Sequence, residues 1–148
     1  ETYQEKMATV VKQLVESKNT ATSLKSKFTK EDKKKYKNAI KSSKEIIKKI
    51  DTLLAVYLGT IDKRQGITRN PEVTVSNRFG TASWYIGSRF GKQTETEKQL
   101  TNQFKNAFNE AVTKTNVFFN NDWITYKKSV ENIEISSFKK TQIFTVKQ

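Results

Sequence analysis

The sequence of 148 residues contains no histidine and no cysteine, and it has only one proline and five glycines. Without imidazole or thiol side chains, the chain can form neither a Ser-His-Asp or Cys-His nucleophile nor a zinc site made of His and Cys ligands. A Glu-x-x-His di-iron site and a disulfide framework are excluded for the same reason. We therefore expect no catalytic residue, no metal site and no cofactor, and we expect the protein to act through its surface.

The chain also lacks long hydrophobic runs. No apolar stretch approaches the roughly 18 residues that a membrane-spanning helix needs, and the basic start is not followed by the compact apolar segment of a signal peptide. The hydrophobic fraction of 34% is enough for one thin core in a single domain. Because the chain begins at Glu1 without an initiator methionine, we interpret it as a piece of a longer protein.

Apolar residues recur at alternating steps of four and three along most of the chain. The first such stripe predicts a helix from Tyr3 to Phe28. A sequence that resembles a capping box at Thr29 opens a second stripe, and Gly59 ends it as a C-cap. Two long helices joined by a few residues predict an antiparallel hairpin over residues 3–59.

A second layer must cover the apolar shoulders that the hairpin leaves open. A polar crossover over residues 60–72 leads to a segment, residues 73–90, that we interpret as a helix despite its glycines. Small residues recur on one side of this helix, which is typical of a face approached closely by another backbone. The small residues are Ser76, Gly80, Ser83 and Gly87.

Thr94 and Glu97 form a Thr-x-x-Glu capping box that opens the last predicted helix, residues 95–132. Asn120–Asp122 could mark a bend, but we expect one continuous helix because the apolar spacing resumes without Gly or Pro. The β-branched residues of the remainder, 133–148, indicate an extended strip.

These segments together predict an all-α fold. We expect an antiparallel up-and-down helical bundle over residues 1–132, built from three long helices and one shorter Gly/Ser-rich helix. An extended C-terminal tail follows the bundle.

Two patterns that could carry chemistry fail on inspection. The run Gly87–Thr94 is similar to a phosphate-binding P-loop, but it has three residues between its glycines instead of four, and Gln93 stands where Ser or Thr would bind Mg²⁺. We interpret this run as the end of one helix and the start of the next. The carboxylates of the last helix share it with lysines, so we expect ordinary solvated charges instead of a glycosidase pair. They are Glu95, Glu97, Glu110, Asp122 and Glu131.

The net charge of +13 is concentrated in residues 30–49. Such a segment could bind nucleic acid or an anionic membrane, with an affinity that falls steeply with salt. We favour a solvated face, because the lysines point all round the predicted helix and neither arginine nor stacking aromatics accompany them. The lysines are Lys30, Lys33, Lys34, Lys35, Lys37, Lys41, Lys44, Lys48 and Lys49.

All arginines of the chain lie between residues 64 and 89, together with several aromatic residues. Arginine beside aromatics is the composition of interface hot spots, because a planar guanidinium can pair or stack while partly desolvated. The alternative, which the sequence leaves equally open, is that these residues only close the crossover against the bundle. The candidate contact residues are Arg64, Arg69, Arg78, Trp84, Tyr85, Arg89 and Phe90.

The same region resembles a known family. Gly66–Glu72, Val75–Gly80 and Ile86–Gly91, followed by Thr94 and Glu97, look like the C-terminal helical region of large bacterial sortilin-like proteins. These proteins carry BNR (Asp-box) β-propellers and are often labelled glycosyl hydrolases. The resemblance covers roughly residues 64–130.

The resemblance implies a non-catalytic helical appendage of an exported β-propeller protein, located outside the cytoplasm. It implies that ligand binding or hydrolysis would reside in the propellers, which this chain does not contain, and it transfers no catalytic or ligand-binding residue. We therefore expect the partner to be the propeller domains of the parent chain or another protein. No small-molecule substrate is evident, and nucleic acid or membrane is not the favoured partner.

Overall fold

A computed structural model describes residues 2–60, 73–88 and 91–135, and this part of the chain is helical almost throughout. The result confirms the predicted all-α bundle. The elements are α1, Tyr3–Asp32; α2, Lys37–Leu58; α3, Val75–Gly87; α4, Glu95–Phe118; a π-helical turn, Phe119–Trp123; and α5, Ile124–Glu131.

Helix α2 lies at the centre, in contact with α1, α3, α4 and α5. Its direction relative to α4 and α5 follows from two buried side-chain hydrogen bonds. Tyr57 near the end of α2 contacts Thr115 of α4, whereas Ser43 near the start of α2 contacts Tyr126 of α5. The helix formed by α4, the π turn and α5 therefore runs antiparallel to α2 and parallel to α1.

The predicted stripes form the core. On α1, fully buried residues recur every seven positions, as expected for a seam that packs along one partner helix. The polar groups within this core are paired: among the described residues, no buried side-chain nitrogen or oxygen lacks a hydrogen-bond partner. The most deeply buried side chains are Leu14, Ala21, Phe28, Ser43, Ile50 and Tyr57.

The turn of the hairpin lies later than predicted. Thr29 does not cap a second helix; its hydroxyl donates to the carbonyl of Lys25, the usual bond of a threonine inside a helix. Helix α1 continues to Asp32, whose carboxylate accepts the N–H groups two and three residues further on. The predicted start at Thr29 is therefore wrong, because Asp32 ends α1 and α2 begins only at Lys37.

The last helix is continuous, as predicted, but Asn120–Asp122 lie in the π-helical turn. Its cause is visible in the spacing of the seam, which takes a step of five residues from Phe118 to Trp123 instead of three or four. A π turn holds one extra residue, so it absorbs this step and keeps Tyr126 facing α2.

Helix α3 is shorter than the predicted helix over residues 73–90. Thr74 caps its first turn by accepting the N–H of Asn77, and residues 89–90 lie outside the described residues. The helix packs on its neighbours through Val75, Phe79 and Ala82.

The prediction that the small-residue face of α3 meets another backbone is wrong. A Cβ atom added to Gly80 or Gly87 would find no atom within 4 Å. Helix α3 packs on the bundle through the apolar residues of its other side, so the small-residue face is open.

The predicted crossover and tail fall largely outside the described residues, which omit 61–72 and 136–148. The first residues after α5 lie against the hairpin turn, where the Tyr36 hydroxyl donates to the Glu134 carbonyl at 3.2 Å. Ile133 and Ile135 pack partly buried against the core.

Candidate functional site

The structure describes three of the predicted contact residues, Arg78, Trp84 and Tyr85, and all three lie on α3. The side chains of Trp84 and Tyr85 are exposed, at 66% and 40%. Arg78 is half-buried and lies two turns before Tyr85 on the same side of the helix. The other predicted residues lie outside the described residues: Arg64, Arg69, Arg89 and Phe90.

Trp84 and Tyr85 form an aromatic pair in the last turns of α3. Their ring centroids are 5.0 Å apart with an interplanar angle of 89°, so the edge of one ring meets the face of the other. Ile86 follows at 45% exposure. Three consecutive large apolar side chains are therefore open to solvent at the end of one helix.

The exposure has a structural cause. The ring of Tyr3, at the start of α1, meets Phe104 and Phe108 of α4, so α1 does not reach the first turns of α4. Helix α3 packs beside those turns, with Phe79 on Phe104 and Arg78 on Gln103. The second half of α3 and the start of α4 thus extend beyond α1, and we name residues 78–88 and 91–103 the aromatic end.

A groove of about 610 Å³ runs along α3 at this end. Gly80 leaves space in its wall, Leu100 and Val73 supply apolar surface, and the guanidinium of Arg78 donates to the Gln103 side-chain oxygen at 3.3 Å. Trp84 follows Gly80 by four residues, so it continues this side of the helix by one turn. The face predicted to be close-packed is thus an accessible groove that leads to the exposed tryptophan.

The carboxylates of the long helix do not converge. Glu97 is buried, and its carboxylate accepts the N–H of Thr94 at 2.8 Å, so the expectation that it is solvated is wrong. Glu110 is exposed, and its hydrogen bond from Lys114 lowers its pKa. Within the described ranges, no group of three acidic side chains is placed to hold a metal ion.

The lysine-rich segment does not form the single helix that was predicted. The chain reverses direction between Asp32 and Lys37, so lysines from the last turn of α1, the turn and the first turns of α2 gather at one end of the bundle. We name residues 30–41 the lysine end. Its position beside the residues that follow α5 is fixed by the hydrogen bond from Tyr36 to Glu134.

Comparison with known proteins adds no relative. No family model, no curated protein and no solved structure matches the chain. Of the helices that the structure describes, none has an apolar stretch long enough to cross a lipid bilayer.

Sequence reasoning missed the groove and the N-cap of α3. Thr74 lies three residues before Asn77, and a Thr directly before an apolar residue is a recognisable start signal. The groove had no such signal, because a row of small residues fits a close contact and an open face equally well.

Proposed function

We propose that this chain is a non-catalytic helical interaction domain that docks on another protein surface through the aromatic end. The observation that carries the proposal is the 66% exposure of Trp84 beside the open groove. A large apolar ring in water costs free energy that a contact with a partner would recover.

The composition of the aromatic end fits this role. Trp, Tyr and Arg are the residues most enriched among interface hot spots, and aromatic side chains contribute large contact areas at low entropic cost. Trp84 and Tyr85 supply that area, and the hydrogen bond to Gln103 orients the Arg78 guanidinium at the edge of the groove.

The partner in this proposal is the β-propeller part of a larger exported polypeptide that contains this chain. Support for this step is the resemblance over residues 64–130, which includes α3 and most of the long helix. The extracytoplasmic location and the absence of hydrolytic activity in this domain belong to the same proposal.

The first test is to read the gene upstream of the codon for Glu1. The proposal expects Ser-x-Asp-x-Gly-x-x-Trp repeats in the same reading frame. A reading frame that begins at this chain, or one without such repeats, contradicts the propeller as the partner.

The second test measures binding between this chain and the propeller segment, produced separately, by calorimetry. We expect Trp84→Ala to weaken binding by about tenfold or more, as for a hot-spot residue. The matched control is Val117→Ala, which removes an apolar side chain that is 53% exposed on α4. Equal effects of the two substitutions would contradict docking through the aromatic end.

A further inference from the structure

The lysine end presents a dense positive charge at the tip of the bundle. Lys33, Lys34 and Lys35 occupy the turn itself, and Lys30 and Lys37 flank it on the adjoining helix ends. All five side chains are exposed.

Glu31 and Asp32 offset part of this charge, but six lysines against two carboxylates leave residues 30–41 with a net charge of +4. In residues 30–44, only Lys41 has a described ion pair, a contact of 4.0 Å with Glu45. The Asp32 carboxylate accepts the backbone N–H groups of Lys34 and Lys35, and the Lys35 ammonium lies 5.1 Å from the centroid of the Tyr36 ring.

The lysine end has no exposed group for stacking or insertion among its described residues. The Tyr36 ring packs on Phe28 with centroids 5.4 Å apart, and its hydroxyl is bonded to Glu134. Within residues 2–60, 73–88 and 91–135, the exposed large hydrophobic side chains all lie elsewhere. Any binding here must therefore be electrostatic.

The shape of the lysine end favours an anionic membrane surface over nucleic acid as its ligand. Duplex DNA takes a helix lengthwise into its groove, and single strands are bound through aromatic stacking. The lysine end offers neither, since its charges lie on a convex turn. A convex cluster of flexible ammonium groups can reach a flat anionic layer with several side chains at once.

We infer that the lysine end binds the anionic headgroup layer of a lipid membrane. The sequence argued against this because lysines were expected all round one helix, but the turn after Asp32 collects them at a single tip. Helix α1, with 30 residues, is about 45 Å long. The aromatic end is therefore held far from the membrane, and the inference is independent of the proposed function.

The test is sedimentation of the whole chain with lipid vesicles. Vesicles with about one third phosphatidylserine are compared with pure phosphatidylcholine, at low and at physiological salt. We expect binding only to the anionic vesicles and a steep loss at the higher salt concentration. Replacing Lys33, Lys34 and Lys37 together by Gln should weaken the partition coefficient at least about tenfold, since each lysine near the surface contributes about fivefold.

The matched control removes the same charge elsewhere, by replacing Lys6, Lys12 and Lys92 with Gln. These lysines are exposed and lie towards the opposite end of the bundle. We expect less than about a threefold loss, because they lie beyond a Debye length from the contact. Circular dichroism of both triple variants verifies that the helices are retained.

Three results would overturn the inference. One is equal loss in the two triple variants, which would mean that net charge alone matters. Another is equal binding to neutral vesicles. The last is tighter binding to duplex DNA than to anionic vesicles at the same phosphate concentration, which would assign the lysine end to nucleic acid.

Discussion

The two ends of the bundle are built differently. At the lysine end, fully buried Phe28 and half-buried Tyr36 form a core under a surface of charged and polar side chains. At the aromatic end, α3 buries Ala82 but leaves Trp84 open to solvent.

The contrast shows that exposed charge and exposed apolar surface have different structural requirements. Lysines tolerate full solvation, so they can cover the tip of a well-packed hairpin without a desolvation cost. Trp84 is exposed because α3 extends beyond α1, which starts at the level of Phe104 and Phe108.

The largest effects should come from single-residue deletions in the long helix. They test whether its buried face must stay in register with the core along the whole bundle. Deleting Asn109 in α4 rotates the residues between the deletion and the π turn by about 100°. Ala111, Thr115 and Phe118 then leave the core, and we expect a loss of several kcal/mol in the free energy of unfolding, measured by urea denaturation.

Deleting Asn120 is the matched control, because it removes an exposed asparagine from the π turn. It restores regular steps of four and three between Phe118 and Val130, so we expect a change within about 1 kcal/mol. A loss as large as that for Asn109 would show that the π turn does more than absorb an extra residue.

A smaller effect is expected when one aromatic side chain is removed at each end, and its size should differ between the two ends. Phe28→Ala should cost about 3–5 kcal/mol because it empties a fully buried site under the lysine end. Trp84→Ala removes a larger side chain but should cost less than about 0.5 kcal/mol, since the ring is mostly in water. Denaturation followed by far-ultraviolet circular dichroism measures both, and similar costs would refute the exposed position of Trp84.

The smallest effect concerns two buried tyrosines, Tyr57 and Tyr126, whose hydroxyl groups make similar hydrogen bonds at opposite ends of α2. The single hydroxyl proton of Thr115 goes to the Ala111 carbonyl, so the Tyr57 phenol donates to Thr115. Tyr126 donates to Ser43 in the same way. Either Tyr→Phe substitution should cost about 1 kcal/mol at pH 8, the contribution of one buried hydrogen bond.

Burial raises the pKa of Tyr57 and of Tyr126, because a phenolate loses its hydration in the core. The unfolded chain therefore loses these protons first, near pH 10, so their contribution is complete below that pH and is lost as the pH rises further. We expect the urea midpoint to fall between pH 8 and pH 10.5, and to fall less in each Phe variant than in the native chain. An unchanged fall would contradict the raised pKa values.

Most of the fold could be predicted from the sequence. Steps of four and three define a buried stripe, and residues such as Leu14, Ile50 and Phe108 lie in the core as that spacing requires. The capping box at Thr94 was equally clear, because it depends on residues three positions apart. The step of five before Trp123 is a signal for the π turn that the sequence contains.

The candidate surface was predictable only in part. The composition of α3 singled out Trp84, Tyr85 and Arg78. It could not show whether these residues contact a partner or close the crossover against the bundle. That distinction depends on which neighbouring helix ends first, and no local pattern in the sequence encodes it.

The sequence by itself determined the helices, their buried faces and the excess of lysine, because helical periodicity and capping act over a few residues. Only the tertiary structure decided where those helices stop relative to one another. Their relative lengths leave Trp84 exposed at one end, and the turn at Asp32 collects the lysines at the other. The exposure of Trp84 depends on contacts between residues distant in the chain, which local free energies do not specify.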